Sequence, residues 1–234
     1  MNRREFAQLL GAGAALPLGA WARGAEEPDA MSVYLERIES DLARFAREQL
    51  AATDAAGERL AERVAAGGRL LIFDQQGKYS AEASGRAGGL MAVTAVRDGS
   101  EASVHPQDAL IIVADEPAAP ADLEVARPAR ERGALVVGIC PVRRGAHRLA
   151  AACDVALDNY VTNDDAAVSL PGVAQRVGPT SGALNAAILW ALTAAYIEAM
   201  ERRGKPPHIW KSIKRPGAQE FNAAALEATA REGY

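Results

Sequence analysis

Gly178-Pro179-Thr180-Ser181 closes a short apolar segment and opens a long apolar helix. A helix that begins on Thr and Ser turns free backbone N–H groups and hydroxyls toward whatever lies beyond its end. That suits an anionic or hydroxyl-rich ligand. The same two residues also serve as an ordinary N-cap, and the sequence leaves both readings open.

Other reactive residue types form weaker constellations. Asn163-Asp164-Asp165, with Asp158, is acidic enough to suggest a cation but lacks the spacing of a calcium loop, whereas a turn closed by Asx hydrogen bonds fits it. His105 precedes a proline, His147 follows two arginines and reads as surface, and His208 follows two prolines, so none forms a motif. Arg143-Arg144 and the run Lys211 to Arg215 read as solvated basic faces. Cys140 and Cys153 each lie in an apolar context, where a free thiol packs as a small hydrophobe; a disulfide is the less favoured reading, and no His partners complete a metal set. There is no G-x-S-x-G, H-E-x-x-H or Walker A pattern, so neither a metal nor a cofactor is expected.

The whole chain restricts the classes further. Its 234 residues suit one domain with a full core, and 49% hydrophobic with 24% charged is a globular composition. A net charge of −4 and 5% aromatic residues argue against nucleic acid as a partner. Residues 1–25 read as an export signal: Arg3-Arg4 with Phe6, an apolar run from Leu9 to Leu16, and Ala20-Trp21-Ala22 as a cleavage site. The run is too short for a membrane span, which needs about 20 apolar residues. The expectation is a protein handled by the twin-arginine export machinery, periplasmic or secreted, with its folded domain over 26–234.

The elements that position these residues follow from hydrophobic periodicity. Residues 32–66 read as helix, with Ser32 as N-cap, Gly57 dividing it and Gly67-Gly68 ending it. Strands are expected at Arg69 to Phe73, Leu90 to Val96, Ala109 to Val113, Leu135 to Ile139 and Asp154 to Leu157. Helices are expected after Ser80 to Ala87, at 121–132, 147–152 and 180–203, and near 219–231. Continuous apolar strands alternating with helices predict a parallel sheet covered on both faces.

From Ser32 onward the chain resembles the SIS (sugar isomerase) domain family, in its single-domain branch related to phosphoheptose isomerase. The match is carried in order by Gly67-Gly68-Arg69-Leu70-Leu71-Ile72-Phe73, Arg86-Ala87-Gly88-Gly89-Leu90, Asp108 to Val113, Gly133 to Ile139, Cys153 to Asn159, Val177 to Ser181 and Gly204-Lys205-Pro206-Pro207. The resemblance implies a flavodoxin-like α/β/α sandwich around a mainly parallel five-stranded sheet. It also implies a sugar or phosphosugar ligand at the carboxyl ends of the strands and a homodimer or larger oligomer. Ligand contacts are then expected at Gln75, Gln76, Lys78, Ser80, Asp115, Glu116, Thr180 and Ser181. Glu82, ahead of Arg86-Ala87-Gly88-Gly89, falls where related isomerases carry a general base; a solvated or salt-bridged helix residue is the competing reading.

The chain departs from the family where phosphate is usually held. The loop Asp74-Gln75-Gln76-Gly77-Lys78-Tyr79-Ser80 is shortened, and Ala114-Asp115-Glu116-Pro117 replaces a Ser-x-Ser-Gly turn. Pro117 lacks an N–H, and the carboxylates repel an anion. The family's second acid/base, a His near the C-terminal helix, is replaced by Glu220-Phe221-Asn222. These residues predict an exported sugar-binding protein with isomerase activity absent or altered. An aldose–ketose isomerase using Glu82 and a non-catalytic dimeric interaction protein are the alternatives.

Overall fold

The computed structural model describes residues 29–97, 103–116, 119–142, 148–162 and 164–234. The expected export segment, Pro117, Arg143-Arg144, His147 and Asn163 lie outside the described residues.

The opening helical region consists of two helices, α1 (Ala30–Glu48) and α2 (Leu50–Ala65), and the break falls at Gln49 rather than Gly57. Gln49 leaves the helix to bracket the edge of the sheet: its side-chain amide donates to the Asp158 carbonyl at 2.8 Å and accepts from the Asp158 N–H at 2.7 Å. The cap of α1 is Asp29, whose carboxylate accepts the Ser32 N–H at 3.0 Å, so Ser32 lies inside the first turn. Gly57 sits within α2, where a Cβ would come 2.7 Å from the carbonyl carbon of Ala195. Glycine there lets two helix backbones approach closely.

One parallel sheet follows: β1 (Leu70–Phe73), β2 (Thr94–Ala95), β3 (Ala109–Val113), β4 (Leu135–Cys140) and β5 (Val155–Asp158), in the order β2-β1-β3-β4-β5. The remaining helices are α3 (Lys78–Ser84), α4 (Pro120–Glu131), α5 (Arg148–Ala152), α6 (Ser181–Arg202) and α7 (Ala218–Glu232). The strand expected over Leu90 to Val96 shrinks to two residues. Its first part pairs instead with the C-terminal segment, through a Leu90–Ile209 bridge and Met91 N–H to the His208 carbonyl, and the two preceding glycines join in, with Gly88 N–H to the Trp210 carbonyl and Trp210 N–H to the Gly89 carbonyl.

Strand residues alternate between two layers, which explains why β1, β3 and β4 read as unbroken runs without a polar side chain. Leu70, Ile72, Ile111, Val113, Val137 and Ile139 pack with Leu60, Val64, Ile188, Leu192 and Tyr196 of α2 and α6. Leu71, Phe73, Leu110, Ile112 and Val136 pack with Leu123, Ala126 and Leu149 of α4 and α5. Each such side chain contributes about 1.5–3 kcal/mol of transfer free energy. The length and apolarity of α6 would let it cross a bilayer by composition, but here its apolar residues Leu184, Ile188, Leu189 and Leu192 are core. Cys140 and Cys153 are both buried free thiols, and burial pushes the Cys153 thiol up to about 12. The expected three-layer α/β/α architecture is the observed one.

The strand order makes a site. From β1 the chain steps outward to β2 and then returns past β1 to β3, so the connections after β1 and β3 leave in opposite directions. A crevice opens between them at the carboxyl ends of the strands, as at topological switch points in open parallel sheets.

Candidate functional site

The crevice is a cavity of about 120 Å³ walled by the two loops and the first turn of α4. The loop after β1 supplies Asp74, Gln75 and Gln76, and Gly77 turns it into α3 through a positive φ of 70°. Lys78 and Tyr79, on the first turn of α3, form one wall. Asp115 and Glu116 come from the loop after β3, and Asp122 from α4.

The two loops are tied down by polar bonds at their bases. Asp74 accepts the Ser80 N–H at 2.8 Å and the Ser80 hydroxyl at 2.6 Å through one oxygen. Asp115 accepts the Lys78 ammonium at 2.7 Å, the Tyr79 hydroxyl at 3.0 Å and the Asn185 amide at 2.8 Å. Asn185 is fully buried on α6, and its own carbonyl oxygen accepts from Asn159 at 2.7 Å, which also donates to the Ala114 carbonyl at 2.9 Å. The loop after β3 is thus fixed to β5 and α6 by a continuous amide chain.

The lining is acidic. Four carboxylates, Asp74, Asp115, Glu116 and Asp122, face one ammonium, Lys78, which is already committed to Asp115. Burial pushes the Asp122 carboxyl up to about 6, reinforced by the charges of Asp115, Glu116 and Asp74 and opposed by a Gln75 hydrogen bond. Burial works against the Lys78 charge, but the bond to Asp115 outweighs it and the ammonium titrates above its ordinary value. One oxygen each of Asp74 and Asp122 has no hydrogen-bond partner among the described residues.

The start of α6 is occupied from within the chain. Asp165 accepts the Thr180 N–H at 3.0 Å and the Ser181 N–H at 2.9 Å on one oxygen, and the Ser181 hydroxyl at 2.5 Å on the other. Asp165 has a φ of 40°, a left-handed conformation that Asp tolerates better than most residues. Thr180 makes no capping bond of its own to the helix, and both Thr180 and Ser181 are buried. Upstream, a Cβ at Gly178 would come 2.8 Å from the Tyr34 ring, and the Tyr34 hydroxyl donates to the Pro179 carbonyl at 3.1 Å. The neighbouring Asp164 is held by Thr162 at 2.9 Å and Arg176 at 3.0 Å, as a turn rather than a cation loop.

Glu82 lies on the second turn of α3 and does not line the cavity. Its carboxylate accepts the Arg86 guanidinium at 2.6 and 2.7 Å and the Trp190 indole N–H at 2.9 Å. The Arg86 bond, then the Trp190 bond, hold its pKa below the ordinary carboxylate value.

Of the residues singled out from sequence, Gln75, Gln76, Lys78, Asp115 and Glu116 converge on one cavity. Ser80 stands behind it, bonded to Asp74, while Thr180 and Ser181 turn to Asp165 and Glu82 turns to Arg86. Sequence reasoning missed Asp122, Tyr79, Asn185 and the capping role of Asp165. An acid in the first turn of a helix after proline reads as a partner of the helix dipole, so nothing in the pattern marked Asp122 for a cavity.

No family model matches the chain. It is 33% identical over 130 residues to a UPF0309 protein of Brucella canis, covering 53% of each chain. It is 34% identical over 125 residues to a UPF0309 protein of Brucella anthropi, covering 51% of each. The chain spans about half the length of the curated relatives it matches. Among solved structures it resembles the phosphoheptose isomerase of Neisseria gonorrhoeae, with a TM-score of 0.50 and 14% identity over 73% of this chain and 97% of that one. A hypothetical protein of known structure gives the same TM-score of 0.50 at 16% identity, over 75% of this chain and 90% of that one. At such identity the likeness is one of fold, and the fold is the α/β sandwich of the sugar isomerase proteins.

Proposed function

We propose that this chain binds an unphosphorylated sugar or sugar derivative in the crevice between the loops after β1 and β3, with isomerase chemistry absent or altered. The observation that carries the reading is the acid lining: a phosphate group placed there would face Asp74, Asp115, Glu116 and Asp122. Like charges at about 4 Å cost on the order of 4 kcal/mol each near a protein surface. Two further features support it. The α6 N-terminus, the other natural anion seat, is filled by Asp165. Glu82 is engaged by Arg86 and Trp190 outside the cavity, with a lowered pKa that makes it a poorer base. A phosphoheptose isomerase of similar fold is named for a phosphosugar, which favours a sugar ligand here.

The same reading takes residues 1–25 as a twin-arginine signal, the folded domain as working outside the cytoplasm, and the chain as a homodimer. Exposed Met31 and Leu35, one turn apart on α1, supply apolar surface suited to a self-contact. Cell fractionation and sedimentation analysis test these two points.

Thermal-shift screening of the 26–234 chain against hexoses, pentoses and their phosphate esters tests the ligand. Stabilisation by unphosphorylated sugars, and none by the esters, is the expected result. Stabilisation by the esters alone overturns it.

A further inference from the structure

We propose that a second cavity, between α4 and α5, binds an organic carboxylate between the guanidinium groups of Arg127, Arg130 and Arg148. It is separate from the crevice between the loops after β1 and β3, and no residue lines both.

The first argument is where the arginines sit. The cavity measures about 260 Å³. Arg127, Arg130 and Glu131 line it from the C-terminal half of α4, and Arg148, Ala151 and Ala152 line it from α5. Residues three apart on a helix share a face, so Arg127 with Arg130, and Arg148 with Ala151, turn toward the same space. Leu123, Ala126 and Leu149 pack both helices onto one face of the sheet, which fixes the two cationic walls relative to each other.

The second argument is how the arginines are held. The Arg130 Nε donates to Asp154 at 3.0 Å and its Nη1 to the Ala151 carbonyl at 3.1 Å. The other Asp154 oxygen accepts the Val136 N–H at 2.9 Å, which ties this anchor to β4. A guanidinium carries five N–H donors, so the Nη2 edge of Arg130 is left for a ligand. Arg127 and Arg148 make no hydrogen bond or ion pair among the described residues. An anion entering here meets one arginine already oriented and neutralises two cations that otherwise repel each other across the cavity.

The third argument is the charge balance. Carboxylate and phosphate both match the guanidinium fork. Glu131 lines the cavity and Asp154 already offsets Arg130, so three guanidiniums face two carboxylates and one positive charge is in surplus. A singly charged carboxylate balances that surplus, whereas a phosphate dianion overshoots it and meets Glu131. Ala151 and Ala152 present small apolar side chains to the carbon skeleton of the acid.

The test is calorimetric titration of the full-length chain at pH 7 with sodium propionate, sodium benzoate and sodium phosphate at constant ionic strength. Both carboxylates are expected to bind, and phosphate to bind severalfold more weakly. Arg127→Gln and Arg148→Gln, at exposed positions without partners in the fold, should each weaken carboxylate binding about tenfold, the worth of one charge-assisted hydrogen bond. Glu131→Gln should bring phosphate up toward the carboxylates, and Asp115→Asn/Glu116→Gln, in the other crevice, should leave all three affinities unchanged. No carboxylate binding by the native chain overturns the site. Binding that survives unchanged in both arginine variants, or that falls in the crevice variant, overturns its placement. Phosphate binding as tight as that of propionate, or a preference that Glu131→Gln leaves unchanged, overturns the ligand class.

Discussion

The carboxylate of Asp165 bonds Ser181 twice, accepting its backbone N–H at 2.9 Å and its hydroxyl at 2.5 Å. With the Thr180 N–H at 3.0 Å on the same carboxylate, the chain supplies its own anion to the start of α6. This cap from outside the helix replaces the usual local one and uses the helix dipole that a phosphate would otherwise exploit.

Removing that cap has two expected consequences. Asp165→Ala should lower stability by about 1–3 kcal/mol, the range for a lost cap with several charge-assisted bonds. Sulfate should then restore part of the loss by entering the vacated seat. Chemical denaturation of the variant in sulfate and in chloride checks both; equal stability in the two salts would contradict an anion seat at α6.

Asp122 gives a pH signature. Its folded-state value of about 6 lies above the ordinary 3.8, so the folded protein binds this proton more tightly than the unfolded chain. The charged form is therefore a cost to folding above pH 6, and the cost fades as pH falls through 6 toward 4. Asp122→Asn should be more stable than the native protein at pH 7.5, by on the order of 2 kcal/mol, with the two converging near pH 4. Urea denaturation of both proteins across that range measures the difference.

Glu82→Gln separates an ion pair from a catalytic role. The Arg86 partner is largely exposed, so the change should cost about 1 kcal/mol or less. Sugar affinity should stay within a factor of two, and any proton exchange at C2 of a bound aldose should be unaffected. Loss of such exchange in the variant would restore Glu82 as a base.

The helix crossing at Gly57 is a purely structural prediction. A methyl there would meet the Ala195 backbone at 2.7 Å, so Gly57→Ala must part α2 from α6. A destabilisation of about 1–3 kcal/mol is expected despite the better helix propensity of alanine. Unchanged or raised thermal stability would show that the two helices can shift freely.

The strands were legible because both faces of this sheet are covered, and runs such as Ala109 to Val113 have no polar interruption. Helix boundaries were less so. Gln49 ends α1 through a long-range bond to Asp158, and Gly57 answers to Ala195, 138 residues further along; no local pattern carries either contact. The strand after Gly89 was overread because its pairing partner is the distant C-terminal segment around His208 to Trp210. At the site, the resemblance to the sugar isomerase family, whose ligand loops follow the first and third strands, pointed to Gln75, Lys78, Asp115 and Glu116. Asp122 and Asp165 escaped because each looked locally explained, one as a helix-start acid and the other as a turn residue, while their partners lie elsewhere in the fold.

The proposed exclusion of phosphate rests on the acidic crevice between the loops after β1 and β3. Paired calorimetric titrations with one sugar and its 6-phosphate, on the native chain and on Asp115→Asn/Glu116→Gln, are the decisive measurement. The free sugar should bind the native chain, the ester should show no measurable binding, and ester binding should improve when the two carboxylates are neutralised. Tighter binding of the ester to the native chain than of the free sugar would contradict it.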